Sequence, residues 1–195
     1  AVVRGPEGET ARIITAISEV VVAPEDPDAV IALLADPAVQ IASLTITEKG
    51  YGYDPASGGL DRAHPDIAAD LKDDGVPQSA MGFILAGLAA RRQAGTPPFT
   101  VLSCDNLPSN GQVARQVLLE FAGALRPDLV PWIAAEVPFP STMVDRITPA
   151  TQPSDLDGLA TREGYRDDAA VVHEPFRQWV IEDRFAGARP AWDAA

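Results

Sequence analysis

The stretch that most constrains this chain is Phe99-Thr100-Val101-Leu102-Ser103-Cys104-Asp105-Asn106-Leu107-Pro108-Ser109-Asn110-Gly111. A short apolar run stops at four small polar residues, and Pro, Ser, Asn and Gly follow. Val113, Val117, Phe121 and Leu125 then recur at spacing four, as on one face of a helix. The pattern predicts a buried strand, a polar tip, a loop and a helix whose start Ser109 or Asn110 can cap. In open α/β sheets such tips line the ligand crevice. Asn106 is the leading candidate there, because a neutral amide donates to an alcohol or a developing oxyanion without adding charge.

The remaining segments alternate in the same way. β-Branched runs predict strands at 13–23 (IITAISEVVVA) and 41–47 (IASLTIT). Further strands are expected at 141–147, 169–172 and 178–181. Asp26 caps a predicted helix with Pro27 at its first position and Ala29, Val30, Leu33 and Leu34 on its apolar face; Asp36-Pro37 ends it. Residues 64–94 read as mostly helical, as do 129–136 and 156–163. Asp54-Pro55 and Gly58-Gly59 mark turns. The tail at 184–195 has no obvious partner. Strands alternating with helices imply an α/β fold, a mostly parallel sheet with helices on both faces. No internal repeat and no domain boundary is visible.

Charge and composition narrow the function. The net charge is −13 and the pI about 4.4, which argue against nucleic acid and anionic membrane as partners. Cys104 is the one cysteine, so there is no internal disulfide, and a reducing, cytoplasmic compartment is expected. No apolar run approaches membrane-spanning length, and the first residues are no signal peptide. Position 1 is not Met, which suggests an excerpt. Two His and one Cys are too few and too scattered for a zinc site. No G-x-S-x-G elbow, P-loop or G-x-G-x-x-G occurs; Gly50-Tyr51-Gly52 is followed by the wrong residues.

Three polar clusters, 45–49, 103–106 and 142–146, each follow an apolar run. They either converge on one crevice or simply end their strands in water. Asn106 can also act as a turn residue, and Asp105 reads as structural rather than catalytic. Cys104 reads as a packed small residue. Asp145-Arg146 fits either a structural ion couple or a substrate contact, and Glu48-Lys49 can be surface charges. His64 and His173 read as surface or capping groups, and Trp132 and Trp179 as packing residues.

Four motifs occur in order: Thr47-Glu48-Lys49-Gly50-Tyr51, the 103–111 stretch, Phe139-Pro140-Ser141-Thr142-Met143-Val144-Asp145-Arg146-Ile147-Thr148-Pro149, and Glu174-Pro175-Phe176-Arg177-Gln178-Trp179-Val180-Ile181-Glu182-Asp183. Together, over about residues 13–185, they resemble the long-chain mannitol dehydrogenase family, which includes mannitol 2-dehydrogenase, arabinitol dehydrogenase, fructuronate reductase and tagaturonate reductase. The resemblance implies a Rossmann-type NAD(P)-binding domain, followed by a mainly helical C-terminal domain that supplies most catalytic residues. It implies zinc-independent hydride transfer between NAD or NADP and a sugar alcohol or sugar acid.

On that resemblance, residues 1–185 are the later part of the nucleotide-binding domain, without its glycine-rich portion, and 186–195 begin a linker to the helical domain. The family's lysine base is then not in this chain, and the fragment alone is expected to be inactive. Asn106 matches the asparagine of the oxyanion hole, and Asp145, with Arg146 beside it, falls in the substrate pocket. Glu48 falls near the cofactor and the proton-exit path, and Thr47 and Ser103 at tips near the nicotinamide. Ser141-Thr142 departs from the Asn-Ser of some mannitol-type members, which leaves a sugar acid open. A nucleotide-binding module without catalysis and a structural α/β domain are the competing classes.

Overall fold

Val2–Gly5 (β1) and Gly8–Ala11 (β2) form an antiparallel hairpin in which Val2 faces Ala11 and Arg4 faces Glu9. Gly8 closes it at φ +117°, a conformation that disfavours a side chain. Asp26 caps α1 (Pro27–Ala35), accepting from the Ala29 amide at 3.0 Å, as its sequence predicts. Next come β3 (Ile41–Leu44), the single turn α2 (Thr47–Gly50), and the hairpin of β4 (Tyr53–Asp54) and β5 (Gly59–Leu60). Helices α3 (Pro65–Asp70) and α4 (Ala80–Ala94) precede β6 (Thr100–Ser103) and α5 (Asn110–Leu125). A 3₁₀ turn at Pro127–Leu129 leads into α6 (Val130–Glu136). The chain continues through β7 (Thr142–Asp145), α7 (Pro153–Glu163), β8 (Val172–His173) and β9 (Gln178–Ile181), with β7 pairing with β9. The computed structural model describes residues 1–72 and 75–192.

The chain divides into two compact units. The first comprises Ala1–Val20 and Val144–Trp179; the second comprises Val21–Met143 and the residues from Val180 onward. In the second unit β3 runs parallel to β6, with Ile41 opposite Thr100 and Leu44 opposite Ser103. The Val101 amide donates to Pro138 O at 3.0 Å and draws the segment before β7 alongside β6. Met81 and Leu88 of α4, Val117 and Phe121 of α5 and Ile133 of α6 close over Phe99 and Val101, all fully buried.

Arg91, 2% exposed, donates to the carbonyls of Leu34 (2.7 Å), Val39 (2.6 Å), Pro97 (2.9 Å) and Asp36, and lies over the Phe99 ring at 5.0 Å. A buried cation is tolerable when its donors are so engaged. Burial still draws its pKa below the ordinary arginine value.

In the first unit β1 lies between β2 and β8, antiparallel to one and parallel to the other. Val2, Leu159, Ala170 and Val172 make a small apolar core. Arg4 pairs with Glu9 and with Asp155 (2.7 Å), and Arg162 pairs with Glu9 (2.8 Å).

Several predicted elements change. Residues 13–23 form no strand: Ile13, Ile17 and Val20 are each about 70% exposed or more, and nothing among the described residues pairs with the run. β-Branching favours an extended backbone, but a ladder requires a partner. The strand predicted at 41–47 ends at Leu44, because the Asp105 carboxylate takes the Ile46 and Thr47 amides in place of a ladder partner. The helical region 64–94 breaks between α3 and α4. There Asp70, 4% exposed, accepts from Gln78 N, Ser79 N and Ser79 Oγ, while Ser79 caps α4 through the Gly82 amide. Residues 73–74 of that region and 193–195 of the predicted tail lie outside the described residues. The strand expected at 169–172 is replaced by the pair Val172–His173, which shares only Val172 with it. The tail is tied down within the second unit: the Ala186 amide donates to Thr100 Oγ1 at 2.9 Å, and Phe185 packs against Trp192.

Candidate functional site

Two of the predicted polar stretches, and the first residue of the third, come together in the second unit. The Asp105 carboxylate, just beyond β6, accepts from Ile46 N (3.0 Å) and Thr47 N (3.1 Å), just beyond β3. Oδ2 also accepts from the Tyr51 hydroxyl at 2.8 Å, and the phenol oxygen lies 2.5 Å from Ser103 Oγ. Tyr51 is fully buried, and burial raises its pKa above the ordinary tyrosine value, so the phenol stays protonated and can donate. Thr47 takes φ +62°, a left-handed conformation that a β-branched residue adopts at a cost of about 1–3 kcal/mol.

The third stretch is joined by Asn110. Fully buried at the start of α5, its Nδ2 donates to Asp105 O (3.0 Å), Thr142 O (3.1 Å) and Thr142 Oγ1 (3.2 Å), with a longer approach to Ser103 O. Its Oδ1 accepts from Thr142 N at 2.8 Å, and Thr142 Oγ1 donates to Ser103 O at 2.6 Å. The start of β7 is thereby fastened to the tip of β6. Gly111 makes the approach possible: a Cβ there would lie 2.5 Å from Phe139 O and 2.7 Å from Pro140 O. Ser109 occupies the cap position at φ +52° without a capping bond from its side chain, so the expected cap is positional only.

Above this saturated base stands Asn106. It is exposed, and among the described residues its side-chain amide has no hydrogen-bond partner. Thr47 and Glu48 are also exposed. Ser103 differs: it is fully buried, its hydroxyl is engaged with Tyr51 and its carbonyl with Thr142 and Asn110. It therefore supports the tip from beneath. Burial, helped by the Asp105 charge, pushes the Cys104 thiol up to about 11, so it is a poor nucleophile near neutral pH. Two cavities of the second unit, about 140 Å³ between α4 and α5 and about 560 Å³ beside Arg115 and Glu182, contain none of the predicted site residues.

Asp145 and Arg146 belong to the first unit, and both are exposed. Among the described residues no ion pair joins them; Arg146 Nε donates instead to Phe176 O at 3.2 Å. The adjoining segment is held by Glu174, whose Oε1 accepts from Ile147 N at 2.6 Å and whose amide donates to Ile147 O.

Sequence reasoning did not single out Asn110 and Tyr51 as site residues. Asn110 drew notice as a possible cap and Tyr51 inside a failed glycine motif, and both stand within the family-like motifs without a role of their own. The usable signal for Asn110 was its Gly111 neighbour at a helix start, where a missing side chain implies close backbone approach. Among the described residues no group of three or more His, Cys, Asp and Glu could hold a metal ion, and no helix is long and apolar enough to cross a membrane.

Parallel strands under helices, with polar side chains gathered where the strands end, are the features of a Rossmann-type nucleotide-binding domain. The chain belongs to the mannitol dehydrogenase family, whose family model, Mannitol dehydrogenase Rossmann domain, matches residues 2–194. It is 45% identical over 194 residues to a mannitol 2-dehydrogenase of Aspergillus terreus, covering 98% of this chain and 39% of that protein. The solved Pseudomonas fluorescens mannitol 2-dehydrogenase, a ternary complex with NAD and D-mannitol, is 47% identical with a TM-score of 0.88, over 93% of this chain and 37% of that one. A substrate-free D-sorbitol dehydrogenase is 41% identical with a TM-score of 0.93, over 98% and 40%. The chain thus spans about two fifths of the length of these relatives.

Proposed function

We propose that the polypeptide containing this chain is a zinc-independent oxidoreductase that transfers hydride between NAD(P) and a polyol or its ketose, of the mannitol–fructose type. The observation that carries this is the unbonded, exposed amide of Asn106 on a tip whose other polar groups are already satisfied. An amide donor with no internal partner is available to an oxygen that gains charge. Family membership, and the NAD and D-mannitol in the related ternary complex, support the same reading.

The exposed tip residues suit a nicotinamide. Thr47, Glu48 and Asn106 would hold that half of the cofactor, with Ser103 fixing the tip below. The bound nicotinamide supplies the hydride acceptor. Asn106 Nδ2 would donate to the substrate oxygen as its negative charge develops. In the first unit, the exposed Asp145 and Arg146 would suit sugar hydroxyls or an acid group. The general base comes from the polypeptide outside these 195 residues.

The test is a panel on the full-length polypeptide: mannitol, arabinitol, fructuronate and tagaturonate, with NAD and NADP in the redox state each requires. Turnover with one of them is expected, and Asn106→Ala should lower kcat about a hundred- to thousandfold with little change in substrate affinity, a loss of about 2.7–4 kcal/mol in transition-state stabilisation. Unaltered kcat would remove Asn106 from the mechanism.

A further inference from the structure

We infer that Tyr51 and Asp105 are positioning residues for hydride transfer, because together they hold the left-handed turn at Thr47 in place beside the residue that precedes Asn106. The inference deepens the reading above and rests on it.

The chain of contacts is continuous. Asp105 uses both carboxylate oxygens on the segment just beyond β3, Oδ1 accepting from Thr47 N and Oδ2 from Ile46 N. Two amides that leave a strand together are thus captured by one side chain 58 and 59 residues away. Such a clamp is what a threonine at φ +62° requires, since the isolated residue would relax to negative φ. The carboxylate is itself aimed by the buried Tyr51 hydroxyl, which bridges it to Ser103.

Tyr51 follows directly on α2, the turn that Thr47 opens, so the turn is gripped at both ends. Asp105 also fixes its own backbone: its carbonyl accepts from Asn110 at 3.0 Å. Asn106, the next residue, inherits that fixed position, while Thr47 and Glu48 inherit the position of the turn. One carboxylate therefore sets the spacing between the edge that would meet the cofactor and the amide that would meet the substrate.

Neither Tyr51 nor Asp105 needs to touch substrate for this. Loosening the clamp should misplace bound groups without abolishing their binding, and a misplacement near 1 Å can cost on the order of a hundredfold in rate.

The experiment uses the full-length polypeptide with its best substrate and cofactor. Asp105→Asn keeps the side-chain size but replaces one acceptor oxygen with a donor; Tyr51→Phe removes only the hydroxyl. Expected are losses in kcat of about a hundredfold and about tenfold, with cofactor Kd and sugar KM within about threefold, measured per folded molecule.

A rescue arm separates positioning from general stability. Glycine adopts φ +62° without strain. The Asp105→Asn loss should therefore shrink at least about fivefold when measured in a Thr47→Gly background, a non-additivity expected of coupled residues. Additive effects, or kcat within about twofold of the parent in both single variants while Asn106→Ala is disabled, would overturn the positioning role and leave the functional reading standing. Turnover with no member of the substrate panel would overturn both.

Discussion

In the second unit Arg91, Asp105 and Asn110 reach inward and end on backbone groups; in the first, Arg4, Glu9 and Arg162 end on one another's charges. The difference is one of consequence. A backbone amide or carbonyl cut off from water cannot find a substitute when its side-chain partner is removed. A carboxylate within reach of water can exchange an exposed arginine for water and lose little. The second unit also has the larger core, running from Ala42 to Phe139, against four buried residues around Val2 in the first. The residues that tie the end of β6 to the Thr47 turn and to β7 lie where errors are costly.

The largest effect expected is on that core. Phe121→Ala should destabilise the second unit by about 3–5 kcal/mol in urea denaturation, since a fully buried ring leaves a cavity. A comparable loss from an ion-pair deletion in the first unit would break the contrast. Next is Asn110→Ala, expected to cost about 1–3 kcal/mol, because Thr142 N and Asp105 O would remain inside without their partner. A loss of kcat larger than the loss of stability would sharpen the comparison, tying the buried polar base to catalysis.

Asp145→Ala follows. In the exposed first unit it should leave stability unchanged while raising the sugar KM about tenfold, the equivalent of one charge-assisted hydrogen bond. An unaltered KM would count against substrate contact.

The smallest change is that of Glu9→Gln, near the resolution of a melting experiment and absent in about 1 M salt. Its pH dependence has a definite sign. Hydrogen bonding to Arg4 holds the Glu9 carboxyl below its ordinary range, so folding is favoured above the unfolded-state pKa. That contribution drains away as pH falls through the lower folded-state value. Parent and variant should therefore converge in acid.

Much of this arrangement was legible in the residues. The apolar run before Ser103, the spacing of Val113 through Leu125 and the Asp26-Pro27 cap are local signals, and local physics decided them. Residues 13–23 misled because β-branching reports a conformational preference and not the presence of a neighbour. The early end of β3 was hidden because its cause, Asp105, is nearly sixty residues away. Asn110 was hidden because an Asn-Gly pair before a helix has a local explanation that masks the long-range one. The division of the chain into two units left no mark in composition. At the site, the Asn106 tip could be anticipated, whereas the clamp beneath it required three-dimensional contacts.

Arg91 has a further consequence. A guanidinium keeps its proton at any pH where a folded chain survives. The joint it makes between α4, the end of α1 and the segment leading to β3 therefore has no titration midpoint. In a chain with 28 acidic side chains, the attachments made through carboxylates weaken as those groups protonate. This one should outlast them, leaving α1 still riveted to α4 when an acidified molecule has begun to come apart elsewhere.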